Sequence, residues 1–356
     1  MAEPTLADLG EGELIRRLGA FAPPGQFNDD AALLPALDPS RRQAVVVNTD
    51  VLVEGVHFSE ATTEPQDVGW RSAAANLSDL AAMGCVEVVG LTVGLVAPAS
   101  TAWAWVEGVY GGLQEALRIH GGVLLGGDCS GGGQRILAIT AIGLLAGEET
   151  AEGACSSQKP QAAAHRGAIR RGDGRPGDWL VCTGPHGLSR LGLALLQGTL
   201  PSATARLLDQ GLRERAIRAH RRPQPRFDAV RALIDCRPAG APWRVGGCDS
   251  SDGLAAAVVA IAASSGCQAR LERLALPLEP AMAQLSEAES WCLGGGEDFE
   301  LVLALEPAWA EALLALLPGC TRIGALGAGP AGNLCWSNGA PWPESSCGSE
   351  GFRHFG

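Results

Sequence analysis

The chain has 356 residues, of which 46% are hydrophobic and 19% charged, so it can bury a core and is long enough for two domains of ordinary size. Its formal net charge of -12 argues against nucleic acid as a partner, because proteins that bind nucleic acid need a basic face. No apolar run reaches the length of a membrane span and the N-terminus has no signal-peptide pattern, which predicts a soluble, cytoplasmic protein with no membrane partner.

The first predicted elements lead to a group of oxygen-bearing side chains. Leu6–Leu18 has helical spacing, and Asp29 and Asp30 then enter a short apolar segment, where a turn or cap is the simpler interpretation of the pair alone. Val45–Val47 is typical of a buried strand. The side chains that follow it are those of Asn48, Thr49 and Asp50. Because open sheets present ligand sites at strand ends, these oxygens predict a site for a hard cation such as Mg²⁺.

A helix is predicted from Pro65 to Met83, and it carries Asp79 among alanines and leucines. A carboxylate in such a helix needs a partner, and a metal ion is the simplest one. A solvated Asp on the outer face is the alternative. Strands are predicted at Val88–Val96 and Ile136–Leu145, on either side of a helix at Ala102–Ile119.

Between these strands, Val123–Leu125 runs into Gly126, Gly127 and Asp128. Glycines there would let the backbone approach a phosphate closely while the strand delivers another carboxylate. Residues 148–167 are polar and irregular, which predicts an exposed insertion or linker between a domain of residues 1–150 and a domain of residues 151–356.

The second half begins with Arg170 and Arg171, which are either surface charge or an anion contact. It continues as a second α/β unit. The predicted elements are a strand at Trp179–Cys182 and helices at Leu188–Gln197, Leu207–His220 and Phe227–Ile234.

Two later turns combine polar or acidic residues with the start of an element. Asp249, Ser251 and Asp252 lie between a strand and an apolar helix, where they could cap the helix or bind a nucleotide phosphate at its free amide groups. Gly294–Gly296 precedes Glu297 and a strand at Phe299–Leu305. This pattern indicates a tight loop aimed at a ligand, with a plain hairpin turn as the alternative.

Six aspartates thus lie at the ends of apolar elements or inside an apolar helix: Asp30, Asp50, Asp79, Asp128, Asp249 and Asp252. Converging carboxylates repel one another unless cations neutralise them, which predicts a site with several magnesium ions suited to phosphoryl transfer. Lys159 is the only lysine, so the chain has no Gly-Lys-Ser/Thr phosphate loop and no strand lysine of the protein-kinase type.

The ordered set of motifs resembles the thiamine-monophosphate kinase family. The matching segments run from Asp29 through Asn48–Phe58, Asn76–Gly84 and Gly126–Asp128 to the later acidic turns and the tail at residues 351–355. The resemblance implies a two-domain α/β fold of the aminoimidazole ribonucleotide synthetase type, with a homodimer formed through the N-terminal domains. It implies ATP and thiamine monophosphate as substrates and Mg²⁺ as the cofactor.

The resemblance also implies roles for individual residues. The implied magnesium ligands are Asp30, Asn48, Thr49, Asp50, Asp79, Asp128, Asp249 and Asp252. The implied ATP contacts are Gly127, Asp128, Arg171, Ser251 and Tyr110, and the substrate contacts are His57, Glu297 and Phe352. Asp50 and Asp128 are assigned to positioning metal and Arg171 to the ATP phosphates, for direct in-line transfer without a phosphorylated enzyme.

The chain departs from the family pattern at Asn28, which replaces a glycine, and at Asn48, which replaces a small residue, usually serine. Two alternatives stay open. One is another ATP-dependent enzyme of the same superfamily, although the first cysteine is Cys85 and the chain ends in glycine, unlike the selenophosphate synthetase and hydrogenase-maturation types. The other is an inactive sensor that binds nucleotide and magnesium.

Overall fold

The computed structural model describes residues 6–21, 25, 28–34, 43–146, 167–340 and 342. Phe352 and nearly all of the predicted insertion at 148–167 therefore lie outside the described residues. Among the helices that are described, none combines the length and the apolar character needed to cross a membrane.

A five-stranded sheet forms the first half, in the order β1-β2-β5-β3-β4. Its strands are β1 (Ala32–Leu34), β2 (Val45–Val53), β3 (Cys85–Ala97), β4 (Val123–Gly131) and β5 (Ile136–Leu145). The β3–β4 pair is parallel and the other pairs are antiparallel. In β5 every second residue is buried, as expected of a strand with one face on the core.

The α-helices in the described part of this half are α1 (Leu6–Leu18), α2 (Pro65–Ala82) and α3 (Trp103–His120). α2 and α3 pack closely because glycines remove side chains at their crossing. A Cβ on Gly69 would lie 1.8 Å from the Val109 carbonyl oxygen, and one on Gly112 would lie 1.9 Å from the Gln66 carbonyl oxygen. α2 is thereby held against the sheet that carries β2.

A six-stranded sheet forms the second half, in the order β11-β8-β10-β6-β9-β7. Its strands are β6 (Trp179–Cys182), β7 (Gly246–Asp249), β8 (Gln268–Leu271), β9 (Leu301–Leu305), β10 (Thr321–Gly327) and β11 (Leu334–Trp336). Its helices are α4 (Leu188–Gln197), α5 (Ser202–Leu207), α6 (Gln210–Arg221), α7 (Phe227–Asp235), α8 (Leu254–Ser264), α9 (Ala288–Gly294) and α10 (Pro307–Leu316).

The two halves share one apolar core. Leu77 and Leu80 of α2 belong to the same buried cluster as Val181 of β6 and Leu301 and Leu303 of β9. This shared core sets the position of α2 relative to the second sheet. The predicted two-domain α/β fold is confirmed by this architecture and by the comparisons reported below.

Two predictions of local structure are wrong. The helix predicted at Leu207–His220 is interrupted, because Asp209 is an N-cap that accepts a hydrogen bond from the Leu212 amide at 2.6 Å and so begins α6. Asn48, Thr49 and Asp50 do not follow a strand end but lie in the middle of β2, and Gly126–Asp128 lies within β4. Polar residues continue these strands because their backbones pair with neighbouring strands throughout.

Candidate active site

A cavity of about 970 Å³ opens between the two halves of the chain. β2 and the turn after it form one side, and the loops that follow β7 and α9 form another. α2 and α4 complete the wall. The lining side chains of these two helices are Arg71, Ala75 and Asp79 on α2, and Arg190, Leu193 and Gln197 on α4.

One end of the cavity holds a cluster of carboxylates from three distant segments. Oxygen atoms of Asp30, Asp79 and Asp249 all lie within 4.8 Å of one another. Burial raises the pKa of Asp30 to about 7, and the charge of Asp249 adds to this while Arg171 opposes it. Burial and the charges of Asp50 and Asp249 raise the pKa of Asp79 well above its ordinary value, and burial also raises the pKa of Asp249. A cation at this point would relieve the repulsion.

The donor set of the cluster fits a hard divalent cation. Asp30 Oδ2 and Asn48 Oδ1 are buried oxygens that have no hydrogen-bond partner among the described residues. Buried oxygens of this kind are costly unless they accept a bond, and carboxylate and amide oxygens are ligands that Mg²⁺ prefers. The residues present are therefore suited to magnesium.

Side chains of α2 and β2 hold the cluster in place. The Asn48 amide donates to Asp79 Oδ2 at 2.7 Å and to Asn76 Oδ1 at 3.2 Å. The Asp50 backbone amide also donates to Asn76 Oδ1, at 3.2 Å. Ser78 Oγ donates to Asp249 Oδ2 at 2.7 Å, which links α2 to the second sheet. Asn76 and Ser78 stand beside Asp79 in the sequence but were not predicted to act at the site.

Arg171 lies behind the cluster. Its guanidinium donates to Asp30 Oδ1 and its backbone amide donates to Asp29 Oδ1 at 2.9 Å. Although burial works against the charge of Arg171, the nearby Asp30 raises the pKa of Arg171 above its ordinary value. Arg171 stays charged and offsets part of the negative charge of the cluster.

Asp50, Ser251 and Asp252 line the cavity beside the cluster. Asp249 Oδ1 accepts hydrogen bonds from the Ser251 hydroxyl at 2.9 Å and from its amide at 3.3 Å, so the turn after β7 is folded around Asp249. The turn keeps Ser251 and Asp252 on the cavity side of the second sheet.

The other end of the cavity contains His57 and Glu297. His57 Nδ1 accepts a hydrogen bond from the Val53 amide at 3.0 Å, which ties the ring to the end of β2. Glu297 Oε1 lies 2.5 Å from Arg71 Nη2, and Glu297 Oε2 lies 3.5 Å from His220 Nδ1. Arg71 and His220 were not predicted from the sequence. The available signal was a charged residue within an otherwise apolar stretch of a predicted helix, since Arg71 is preceded by Trp70 and followed by Ser72 and three alanines.

Among the described residues, three predicted ones lie outside the cavity wall of this chain and away from the acidic cluster, and a fourth, Thr49, lines the cavity but directs its hydroxyl away from the acidic cluster. The Thr49 hydroxyl contacts the Thr140 hydroxyl at 2.8 Å rather than the acidic cluster, although Thr49 is part of the cavity wall. Gly127 and Asp128 lie on exposed β4, three strand spacings or about 14 Å across the sheet from β2. Tyr110 packs on the core from α3, where burial and Cys129 raise its pKa.

Comparisons with known proteins identify the family. Residues 28–145 match the model for the AIR synthase related protein, N-terminal domain, and residues 175–336 match that for the C-terminal domain. A thiamine-monophosphate kinase from Prochlorococcus marinus is 45% identical over 334 residues, covering 94% of this chain and 93% of the relative.

Solved structures agree with the sequence comparison. The structure of AaThiL complexed with AMPPCP and TMP matches with a TM-score of 0.78 over 100% of both chains, at 24% identity, and so supports the fold. A thiamine-monophosphate kinase from Stenotrophomonas maltophilia matches with a TM-score of 0.68 at 29% identity, covering 92% of this chain and 96% of that one. The chain therefore belongs to the AIR synthase related proteins and, among them, to the thiamine-monophosphate kinase family.

Proposed function

We propose that this protein transfers the γ-phosphate of ATP to thiamine monophosphate and forms ADP and thiamine diphosphate. The observation that carries the proposal is the meeting of Asp30, Asp79 and Asp249 within 4.8 Å beside a cavity large enough for two phosphorylated molecules. The family relatives named above are thiamine-monophosphate kinases, and one solved structural neighbour holds AMPPCP and TMP.

The acidic cluster supports a role in holding metal rather than in moving protons. The acceptor phosphate is already ionised near neutral pH, so its attack needs no strong general base. When bound, Mg²⁺ supplies positive charge to the phosphate oxygens. The residues that we assign to holding it are Asp30, Asn48, Thr49, Asp50, Asp79, Asp249 and Asp252. Asp128 keeps its predicted role as a ligand, but it lies on β4, about 14 Å across the sheet from β2. Because Thr49 bonds to Thr140 through its hydroxyl, its backbone carbonyl is the group we assign.

ATP is assigned to the same end of the cavity. Ser251 lines the cavity on the turn between β7 and α8, and its predicted contact with ATP requires its hydroxyl to exchange the hydrogen bond to Asp249 for one to a phosphate oxygen. Arg171 stays charged beside Asp30, and its positive charge favours binding of the ATP phosphates next to the acidic cluster. Gly127, Asp128 and Tyr110 keep their predicted roles as nucleotide contacts, but they lie on β4 and α3, outside the cavity wall of this chain. At the opposite end, His57 and Glu297 are assigned to the thiamine ring. Phe352, which lies outside the described residues, stays a predicted substrate contact.

A homodimer joined along β4 is supported by the surface of the first sheet. β4 is an edge strand whose residues are all exposed, and Val123, Leu124 and Leu125 are 59%, 45% and 45% exposed. An open apolar edge of this kind favours pairing with another chain. The same edge carries Gly127 and Asp128, so pairing along it would place these two residues at the subunit junction.

The predicted cytoplasmic location is supported by the cysteines. The nine cysteines of the described residues are free thiols, which is typical of a reducing compartment.

The direct test is to incubate the purified protein with Mg²⁺, ATP and thiamine monophosphate and to measure thiamine diphosphate by chromatography. Asp50→Asn should lower turnover by about 100-fold or more. The variant lacks one of the carboxylates assigned to holding the metal, so the negative charge of the transition state is stabilised less. Asp235→Asn is the matched control, since Asp235 is an exposed residue at the end of α7. ATP binding without turnover would favour the sensor, and ADP formation that requires a different acceptor would favour another enzyme of the superfamily.

A further inference from the structure

Arg71 is a buried cation that connects the two halves of the chain. It lies on α2 of the first half, and its side chain is 4% exposed. One arm of its guanidinium contacts Glu297 at 2.5 Å, and the other donates to the His220 backbone carbonyl. Glu297 and His220 both belong to the second half, so the two Nη atoms of Arg71 join α2 to the loop before β9 and to α6.

One face of α2 spans the length of the cavity. Arg71, Ala75 and Asp79 are spaced four residues apart, and all three line the cavity. At 1.5 Å per residue, Arg71 and Asp79 are separated by about 12 Å along the helix. Asp79 is at the end with the acidic cluster, and Arg71 is at the end assigned to the thiamine ring. The small side chain of Ala75 leaves the space between them open.

The backbone of Glu297 does not by itself fix the orientation of its carboxylate. Its backbone has φ 57°, in the left-handed region that a glutamate rarely adopts, and it follows the glycine run at residues 294–296. Its amide donates to the Ser251 carbonyl oxygen at 2.7 Å, which fixes the backbone but not the carboxylate. The side chain is 34% exposed, so it keeps access to the cavity while Arg71 holds one oxygen.

His220 is not a second cationic partner for the Glu297 carboxylate. Burial lowers the pKa of His220 to about 2, and the charges of Arg71, Arg221 and Arg190 act in the same direction. The ring is therefore neutral at physiological pH, and its Nδ1 lies 3.2 Å from the Ser189 hydroxyl. Among the described residues, Arg71 is the cation that pairs with Glu297.

We propose that Arg71 is a positioning residue that sets the orientation of the Glu297 carboxylate for the aromatic cation of the acceptor. The inference rests on the proposed function, because it assumes that Glu297 binds the thiamine moiety. Arg71 itself is already hydrogen-bonded on both arms, so it acts through Glu297 rather than on the substrate. A carboxylate fixed in one orientation loses less side-chain entropy when the acceptor binds.

The test is steady-state kinetics on Arg71→Gln and Arg71→Lys, with KM determined separately for thiamine monophosphate and ATP. Arg71→Gln should raise KM for thiamine monophosphate by about 10- to 100-fold, while KM for ATP changes by less than about 3-fold. Arg71→Lys should recover part of the loss, because it keeps the charge but lacks the fork. Arg222→Gln is the matched control: Arg222 joins the end of α6 to Asp67 of α2 at 2.7 Å but is not part of the cavity wall.

A double-mutant cycle distinguishes positioning from a general effect on folding. In the Glu297→Gln background, adding Arg71→Gln should change KM for thiamine monophosphate by less than about 3-fold, since the carboxylate that Arg71 orients is gone. An equal KM increase in both backgrounds, or an equal rise in KM for ATP, would overturn the inference and leave the proposed function standing. A wild-type protein that does not phosphorylate thiamine monophosphate would overturn both.

Discussion

At the scale of single residues, the buried His186 helps to hold the turn after β7 that borders the acidic cluster. His186 is fully buried, and its Nε2 lies 2.8 Å from Ser250 Oγ, which in turn accepts the Glu300 amide at 3.2 Å. Ser250 stands between Asp249 and Ser251 in the turn that borders the acidic cluster. A proton added to His186 would remove the acceptor of the Ser250 hydroxyl, so this turn depends on a neutral ring.

The pH dependence of stability follows from this residue. Burial lowers the pKa of His186 from 6.5 to about 4. Between these values the unfolded chain binds the proton more readily than the folded one, so the stabilisation is complete above about pH 6.5 and decreases as the pH falls towards 4. The contribution is at most about 1.4 kcal/mol per pH unit. In His186→Gln this part of the slope should vanish, as measured by urea unfolding from pH 4.5 to 7.5. An unchanged slope would contradict the assignment.

At the scale of elements, α2 is the part on which the site depends. It carries Asp79 of the acidic cluster, the supporting residues Asn76 and Ser78, and Arg71 of the opposite end. Its position is set by the close crossing with α3, where Gly112 faces the Gln66 carbonyl. A shift of α2 therefore disturbs both ends of the cavity together.

Two adjacent glycines of α3 give a matched test. Gly112→Ala should destabilise the protein by about 1–3 kcal/mol and reduce turnover, because the new Cβ would displace α2 from the Gln66 carbonyl. A Cβ added at Gly111 would have nothing within 4 Å. Gly111→Ala should therefore leave the stability of the protein unchanged or raise it by up to about 1 kcal/mol, because alanine has the higher helix propensity. Denaturant unfolding and the kinase assay measure both effects. Similar losses in the two variants would mean that the crossing does not set the position of α2.

At the scale of the whole molecule, the exposed edge of the first sheet predicts the oligomeric state. We expect the wild type to be a dimer by size exclusion with light scattering, and Leu125→Glu to be a monomer, because it places a charge in the apolar edge. Leu274→Glu is the control: Leu274 is fully exposed in a short 3-10 helix after β8, away from β4, and its variant should remain a dimer. A monomeric wild type would refute the proposed association.

Much of the fold was predictable because the relevant information is local. Alternating apolar residues predicted β5, and the proline at the start of α2 with Gly84 beyond its end predicted that helix. The site was less predictable. Thr49 and Asp128 carry the expected residue types, yet the Thr49 hydroxyl bonds to Thr140 and Asp128 lies on exposed β4. Sequence motifs specify which residues are polar, but side-chain direction depends on strand register and sheet order.

The sequence by itself determined the family, the two-domain α/β fold and the acidic residues that a phosphate-transfer site needs, because these are encoded in short segments whose order is specific. Only the tertiary structure decided which of them meet. It brought Asp30, Asp79 and Asp249 together from positions far apart in the chain, and it linked Arg71 to Glu297 across the two halves. Such contacts arise from how helices and sheets pack, and no single segment contains that information.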